Sequence, residues 1–189
     1  MSVEFANLDT DWKFSDGTRS VRTNSLILKI EERSEIGLTV GAGVGYHWLR
    51  LDDQNGSGST KFDAQNLQLY LRHELALSEA VKLEGALNFA WYTGEDTNAD
   101  DSADIDWSQV GADLGVNYRF GNLGITPFVS YIDVDGDTSG LDDDDSFEMD
   151  ESFGQGVRFD IFVESTGFIS LELRAGNQTG GYLAFVQRY

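Results

Sequence analysis

Cysteine is absent from the 189 residues, so neither a disulfide framework nor thiolate chemistry is available. Proline occurs once, at Pro127. Basic residues are scarce. Thirteen Lys and Arg against 33 Asp and Glu leave a net charge of -20, so DNA or RNA would be repelled and nucleic-acid binding is excluded. No apolar run approaches the roughly 20 residues of a membrane-spanning helix. The opening residues, "MSVEFANLD", have neither the basic n-region nor the apolar h-region of a signal peptide. That fits either a protein that stays where it is made or a mature chain with an added start methionine. The length predicts one domain, 1–189.

Helical periodicity is missing too, and period two takes its place along almost the whole chain. In "EIGLTVGAGVGYHW", Ile36, Leu38, Val40, Ala42, Val44, Tyr46 and Trp48 alternate with Gly37, Thr39, Gly41, Gly43, Gly45 and His47. "NLQLYLRHELAL" sets Leu67, Leu69, Leu71, Leu75 and Leu77 against Gln68, Tyr70, Arg72 and Glu74. "VKLEGALNFAWY", "VGADLGVNYRF", "VRFDIFVE" and "ISLELRA" repeat the scheme. Ten segments follow, at about 2–14, 20–32, 35–50, 64–77, 80–93, 106–120, 123–134, 151–164, 167–177 and 180–189. The first and seventh alternate least cleanly, which leaves an eight-stranded alternative.

The connections alternate as well. "EERSEI", "LSEAV", "FGNLG" and "ESTGF" are short, whereas "LDDQNGSGSTKFD", "GEDTNADDSADID" and "DVDGDTSGLDDDDSFEMDE" are long and acidic. Antiparallel pairing puts all short turns at one end and all long loops at the other, as in an up-and-down antiparallel transmembrane β-barrel. Tyr46, Trp48, Trp91, Trp107, Tyr131 and Phe153 fall where strands meet long loops, and Phe120, Phe168 and Tyr189 near the short turns. Two such belts suit the two membrane–water interfaces. A soluble barrel would have to expose the leucines and bury the charges, and it loses on both counts.

With these features the chain resembles the small outer-membrane barrels of Gram-negative bacteria, of OmpA, OmpX and opacity-protein type. The resemblance covers the whole chain and rests on architecture. Its most local element is the ending "GGYLAFVQRY", where Leu183, Phe185 and Tyr189 fit the usual terminal strand and Gln187 departs from it. The resemblance implies a bacterial outer-membrane location with short periplasmic turns and extracellular loops. It also implies export under a signal peptide not present in this sequence, recognition of the last strand by the barrel-assembly machinery, and contact with outer-membrane lipid and lipopolysaccharide. A monomer is expected.

The face opposite the apolar one carries opposite charges two residues apart: Lys29/Glu31, Arg72/Glu74, Lys82/Glu84, Arg158/Asp160 and Glu172/Arg174, with Asp113 and Arg119 on the sixth segment. Residues i and i+2 share a strand face, so these groups project into one lumen, most of them toward the short-turn end. The loop-side interior would hold glycines with His47, Asn66, Gln68, Asn88, Tyr92 and Gln109. Two arrangements follow: a salt-bridge plug under a roomier neutral vestibule open to the outside, or a hydrated pore with charge-balanced walls.

Other chemistry is less well supported. "GAGVG" lacks the following helix that a nucleotide loop needs. Asp133, Asp135 and Asp137 stand like calcium-loop ligands, but Thr138 and Asp144 occupy the glycine and glutamate positions of an EF-hand. Loose Ca2+ or Mg2+ binding involving Asp142, Asp143, Asp144 and Asp145 stays a candidate, and no other cofactor is expected. Enzymatic activity is not expected, because no serine sits near His47 on its strand face. The expectation is therefore a non-enzymatic barrel with a plugged lumen, its acidic loops meeting cations, lipopolysaccharide or a partner. The alternative is a narrow channel for ions or small solutes.

Overall fold

The computed structural model describes residues 1–52, 58–97, 103–140, 145–164 and 167–187, and every regular element among them is a strand. These are β1 (Ser2–Phe14), β2 (Gly17–Arg33), β3 (Leu38–Asp52), β4 (Ser59–Ala76), β5 (Val81–Asp96) and β6 (Asp104–Phe120). They continue with β7 (Leu123–Ser139), β8 (Asp145–Met149), β9 (Phe153–Glu164), β10 (Gly167–Gly176) and β11 (Thr179–Gln187). All but β8 build the wall, each pairing antiparallel with the next, and β11 closes on β1. Ten wall strands set the eight-stranded alternative aside. The Met1 ammonium donates to the Gln187 carbonyl at 3.0 Å, so the two ends of the described chain meet at the short-turn end.

The extra strand was not legible as one. The pairing of β7 with β9 ends at Tyr131↔Phe153. Beyond that point β7 pairs with β8, from Asp135↔Glu148 to Thr138↔Asp145, and β8 pairs with β1 from Trp12↔Met149 to Phe14↔Phe147. β8 thus fills the gap that the shorter β9, β10 and β11 leave at the loop-side end.

The wall strands run further than expected on that side. β4 begins at Ser59 rather than 64 and β7 continues to Ser139 rather than 134. They hold 18 and 17 residues, against the 9–11 that a tilted strand needs to cross a bilayer. Alternation continues into the excess with its polarity reversed. On β7, Val129 and Tyr131 point outward while Ser130 points in; higher up, Asp133 and Asp135 point outward while Ile132 and Val134 are buried inside. Much of the acidic "loop" sequence is therefore sheet, with its charges outside and its apolar residues within.

Glycine spacing on β3 has a specific cause. Gly41, Gly43 and Gly45 pair with Tyr70, Gln68 and Asn66 of β4. A Cβ on any of the three would collide with the side chain of its partner, which lies across the glycine. The glycines are thus occupied by their neighbours and do not line open space. Gly85 on β5 has no atom within 4 Å of such a Cβ. Gly45→Ala should lower the urea midpoint measurably, by the roughly 1–3 kcal/mol typical of overpacking. Gly85→Ala should leave it unchanged or raise it slightly, and matching shifts in the two variants would contradict the close approach.

Candidate functional site

The inward faces of the ten wall strands converge on the lumen, whose contents change along its length. At the short-turn rim Glu74 accepts from Arg33 and from Lys82, each at 2.8 Å. Deeper in, Lys29 reaches Glu4 at 2.8 Å and Arg72 approaches Glu31 at 4.0 Å. Arg158 donates to Glu84 and, at 3.2 Å, to Asp160. Arg174 donates to Glu172 at 2.6 Å and to Asp113 at 3.0 Å. Six cations and seven carboxylates make up these pairs.

Most expected members are brought together, but with different partners. Only Arg158/Asp160 and Glu172/Arg174 close along their own strand; the other contacts run between strands. Side chains at i and i+2 stand roughly 6.5–7 Å apart at their bases, so cross-strand and cross-lumen neighbours compete successfully. Arg119 does not join Asp113. It lies over the Phe162 ring at 4.4 Å, near the short turn. Glu4 and Arg33 belong to the network although sequence reasoning left them out, Glu4 because β1 alternates poorly and Arg33 because it lies past the expected strand end. The network is not confined to the short-turn half, since Arg174 lies two residues from the loop-side end of β10.

The loop-side end is not an open vestibule. Trp12, Phe14, Val21, Leu49, Leu51, Phe62, Ile105, Trp107, Ile132, Val134, Phe147 and Met149 form one buried apolar cluster there. Trp12 stacks on Phe147 with ring centroids 4.4 Å apart, and Trp107 stacks on Tyr92 at 4.3 Å. Trp107 is thus an interior residue, 7% exposed, and not a membrane-interface ring. Its strand position is near the interface as expected, but above the membrane the apolar face turns inward. From the cluster a cavity of about 250 Å³ runs down alongside the ion pairs, lined by His47, Gln68, Tyr92 and Tyr182 and also by Lys29, Arg72, Asp113, Arg158 and Arg174.

Ser25 of β2 lies directly opposite His47 of β3, and its hydroxyl is 2.7 Å from the ring Nδ1. The serine that one strand face could not supply comes from its neighbour. The pair lacks the third member of a hydrolytic constellation among the described residues: the other ring nitrogen lies buried beside the Asn66 amide, and no carboxylate orients the ring.

On the outside, Trp48, Trp91, Tyr131 and Phe153 are exposed at the loop-side edge of the apolar belt, with Tyr46 against Trp48 at 5.1 Å. Phe120 is exposed at the other edge, while Phe168 turns toward the lumen and contacts Phe162. Tyr189 lies outside the described residues. So do Asp142, Asp143 and Asp144. Asp133, Asp135 and Asp137 are alternate outward residues of β7, and Asp145 opens β8, accepting from Ser15 Oγ at 3.0 Å. No group of three or more His, Asp or Glu able to hold a metal ion occurs among the described residues. A strand spreads its carboxylates along a face, whereas a calcium loop folds them around one point.

Two solved structures share this fold across the whole chain. The translocator domain of the autotransporter NalP from Neisseria meningitidis is 13% identical, with 87% of that chain covered and a TM-score of 0.53. The transport unit of the autotransporter AIDA-I from Escherichia coli is 9% identical, with 90% covered and a TM-score of 0.52. Among curated proteins no sequence matches. The family model for the autotransporter β-domain matches residues 3–178. A closed antiparallel barrel with an apolar exterior belt, matched over nearly its full length by that model, is an outer-membrane protein, and the chain belongs to the autotransporter β-domain family.

Proposed function

We propose that this protein is a closed, non-enzymatic outer-membrane barrel: an anchor that holds a folded, acidic surface outside the cell and meets lipopolysaccharide, cations or a partner there. The observation that carries this reading is the double filling of the lumen. Paired charges occupy its depth, and an apolar cluster occupies the loop-side end. Both resist hydration for different reasons, since most of the ions are paired with one another and the cluster is largely hydrocarbon. Transport through this lumen, of the kind implied by the words "translocator domain" and "transport unit" used for the two similar structures, would require displacing both. The exterior acids act as a diffuse field. Asp106 faces Asp137, and Asp135 faces Glu148, across strand pairs; such like-charge neighbours favour counterions without forming a chelating site.

A narrow channel is the second reading, supported by the internal cavity and by the long Arg72–Glu31 contact. Single-channel recording in a planar bilayer separates the two. The closed barrel gives a heat-modifiable, folded protein without current steps. Discrete, reproducible steps with the unmodified protein would overturn the closed reading.

A further inference from the structure

Cations facing outward are rare in this barrel, and three of them stand in one row. Arg22 pairs in register with Arg50, and Arg50 with Lys61, so the three occupy neighbouring positions on β2, β3 and β4. All three are exposed on the outer face. Like charges directly opposite one another across strands are unfavourable, and the row is kept in a chain whose net charge is -20. Acids crowd the outer face on β6, β7 and β8, through Asp104, Asp106, Asp133, Asp135, Asp137 and Glu148. They border the row as well: Asp9 faces Arg22, Asp52 and Asp63 lie two residues from Arg50 and Lys61, and Glu95 faces Asp63.

The height of the row is informative. Arg50 lies two residues beyond Trp48 on the same strand face, hence about 7 Å above the loop-side aromatic belt. That is the level of lipid headgroups, just outside the hydrocarbon layer. The donor geometry is equally specific. Arg22 reaches Asp9 through Nε at 2.7 Å, and Arg50 reaches Asp52 through Nε at 2.9 Å. Among the described residues neither guanidinium uses a terminal amino group in a hydrogen bond, and Lys61 is in no ion pair. Each arginine is held by its aspartate through Nε, which leaves its terminal donors without a partner among the described residues, and such forks match phosphate oxygens.

We propose that Arg22, Arg50 and Lys61 form a binding site for the phosphate groups of lipopolysaccharide in the outer leaflet. The site rests on the surface-contact reading above and gives it an address. Asp9 and Asp52 orient the two guanidinium groups, and Lys61 supplies the free charge at the end of the row.

The test is native mass spectrometry of the folded protein in detergent with three probes: diphosphorylated lipid A, dephosphorylated lipid A and phosphatidylglycerol. Wild type should retain the diphosphorylated form. Arg22→Gln, Arg50→Gln and Lys61→Gln combined should weaken retention at least about tenfold, as expected for losing several charge-assisted hydrogen bonds. Lys13→Gln, an outward cation paired with Glu148 outside the row, should leave it unchanged. Undiminished retention by the triple variant would overturn this site alone. If the wild type retained no lipid A, the broader reading of the surface would fail with it. Equal retention of the dephosphorylated form, or of phosphatidylglycerol, would overturn the assignment to lipopolysaccharide phosphate. Unchanged heat-modifiability on gels establishes that each variant is folded.

Discussion

Arg158→Ala should lower the unfolding free energy of the barrel by about 3–5 kcal/mol, the range seen when one member of a buried charge cluster is removed. The side chain is 19% exposed and bridges Glu84 and Asp160, whose side chains are 9% and 8% exposed. Without the guanidinium two carboxylates face each other in a low-dielectric lumen, and their desolvation is no longer offset. Urea unfolding in phospholipid vesicles, followed by tryptophan fluorescence, measures the loss. Arg50→Ala is the appropriate control, because its pair with Asp52 is about half exposed and should contribute less than about 1 kcal/mol. Arg19 would be a poor control. It pairs with Asp16 but also lies over the Phe14 ring at 4.5 Å. Replacing Arg158 by Met and Glu84 by Gln together should recover much of the loss, since apolar or neutral replacement of a buried pair is often close to neutral. Equal shifts for Arg158→Ala and Arg50→Ala would show that the lumen is hydrated and its charges individually solvated.

Trp12→Ala should cost a similar amount, about 3–5 kcal/mol, for an unrelated reason: a large ring leaves a cavity in a packed core. Trp12 lies between Phe147, stacked at 4.4 Å, and Trp107, tilted at 5.5 Å, and so connects β1 to β8 and to β6. Its removal loosens β8, whose backbone pairing with β1 is confined to Trp12–Phe14. The two fillings lie in series along the lumen, which gives the conductance a definite logic. Neither Trp12→Ala nor Arg158→Ala alone should pass current in a planar bilayer, whereas the double variant should show steps. Current through either single variant would mean that only one of the two fillings blocks the path.

The number of wall strands, the closed antiparallel order and the lipid-facing leucines were legible because all depend on one local rule. Period two along a strand sends alternate side chains to opposite faces, and the apolar face of a membrane barrel is the outer one. The sequence also carried the loop-side apolar cluster, in stretches such as "DIDW", "DVDGD" and "SFEM", but in a form easily taken for loop. Above the bilayer water lies outside, so the same alternation reverses its meaning. Ile105, Trp107, Val134, Phe147 and Met149 turn inward for the reason that Leu67 and Leu69 turn outward.

What the sequence determined by itself was therefore the wall: which residues alternate and which ends carry the longer connections. Only the tertiary structure decided the partners. That Arg174 meets Asp113, that Ser25 meets His47, and that β8 enters between β7 and β1 all depend on strand register and on barrel closure. Register is a long-range property, set when the whole sheet closes on itself, and alternation within one strand carries no record of which neighbour stands opposite.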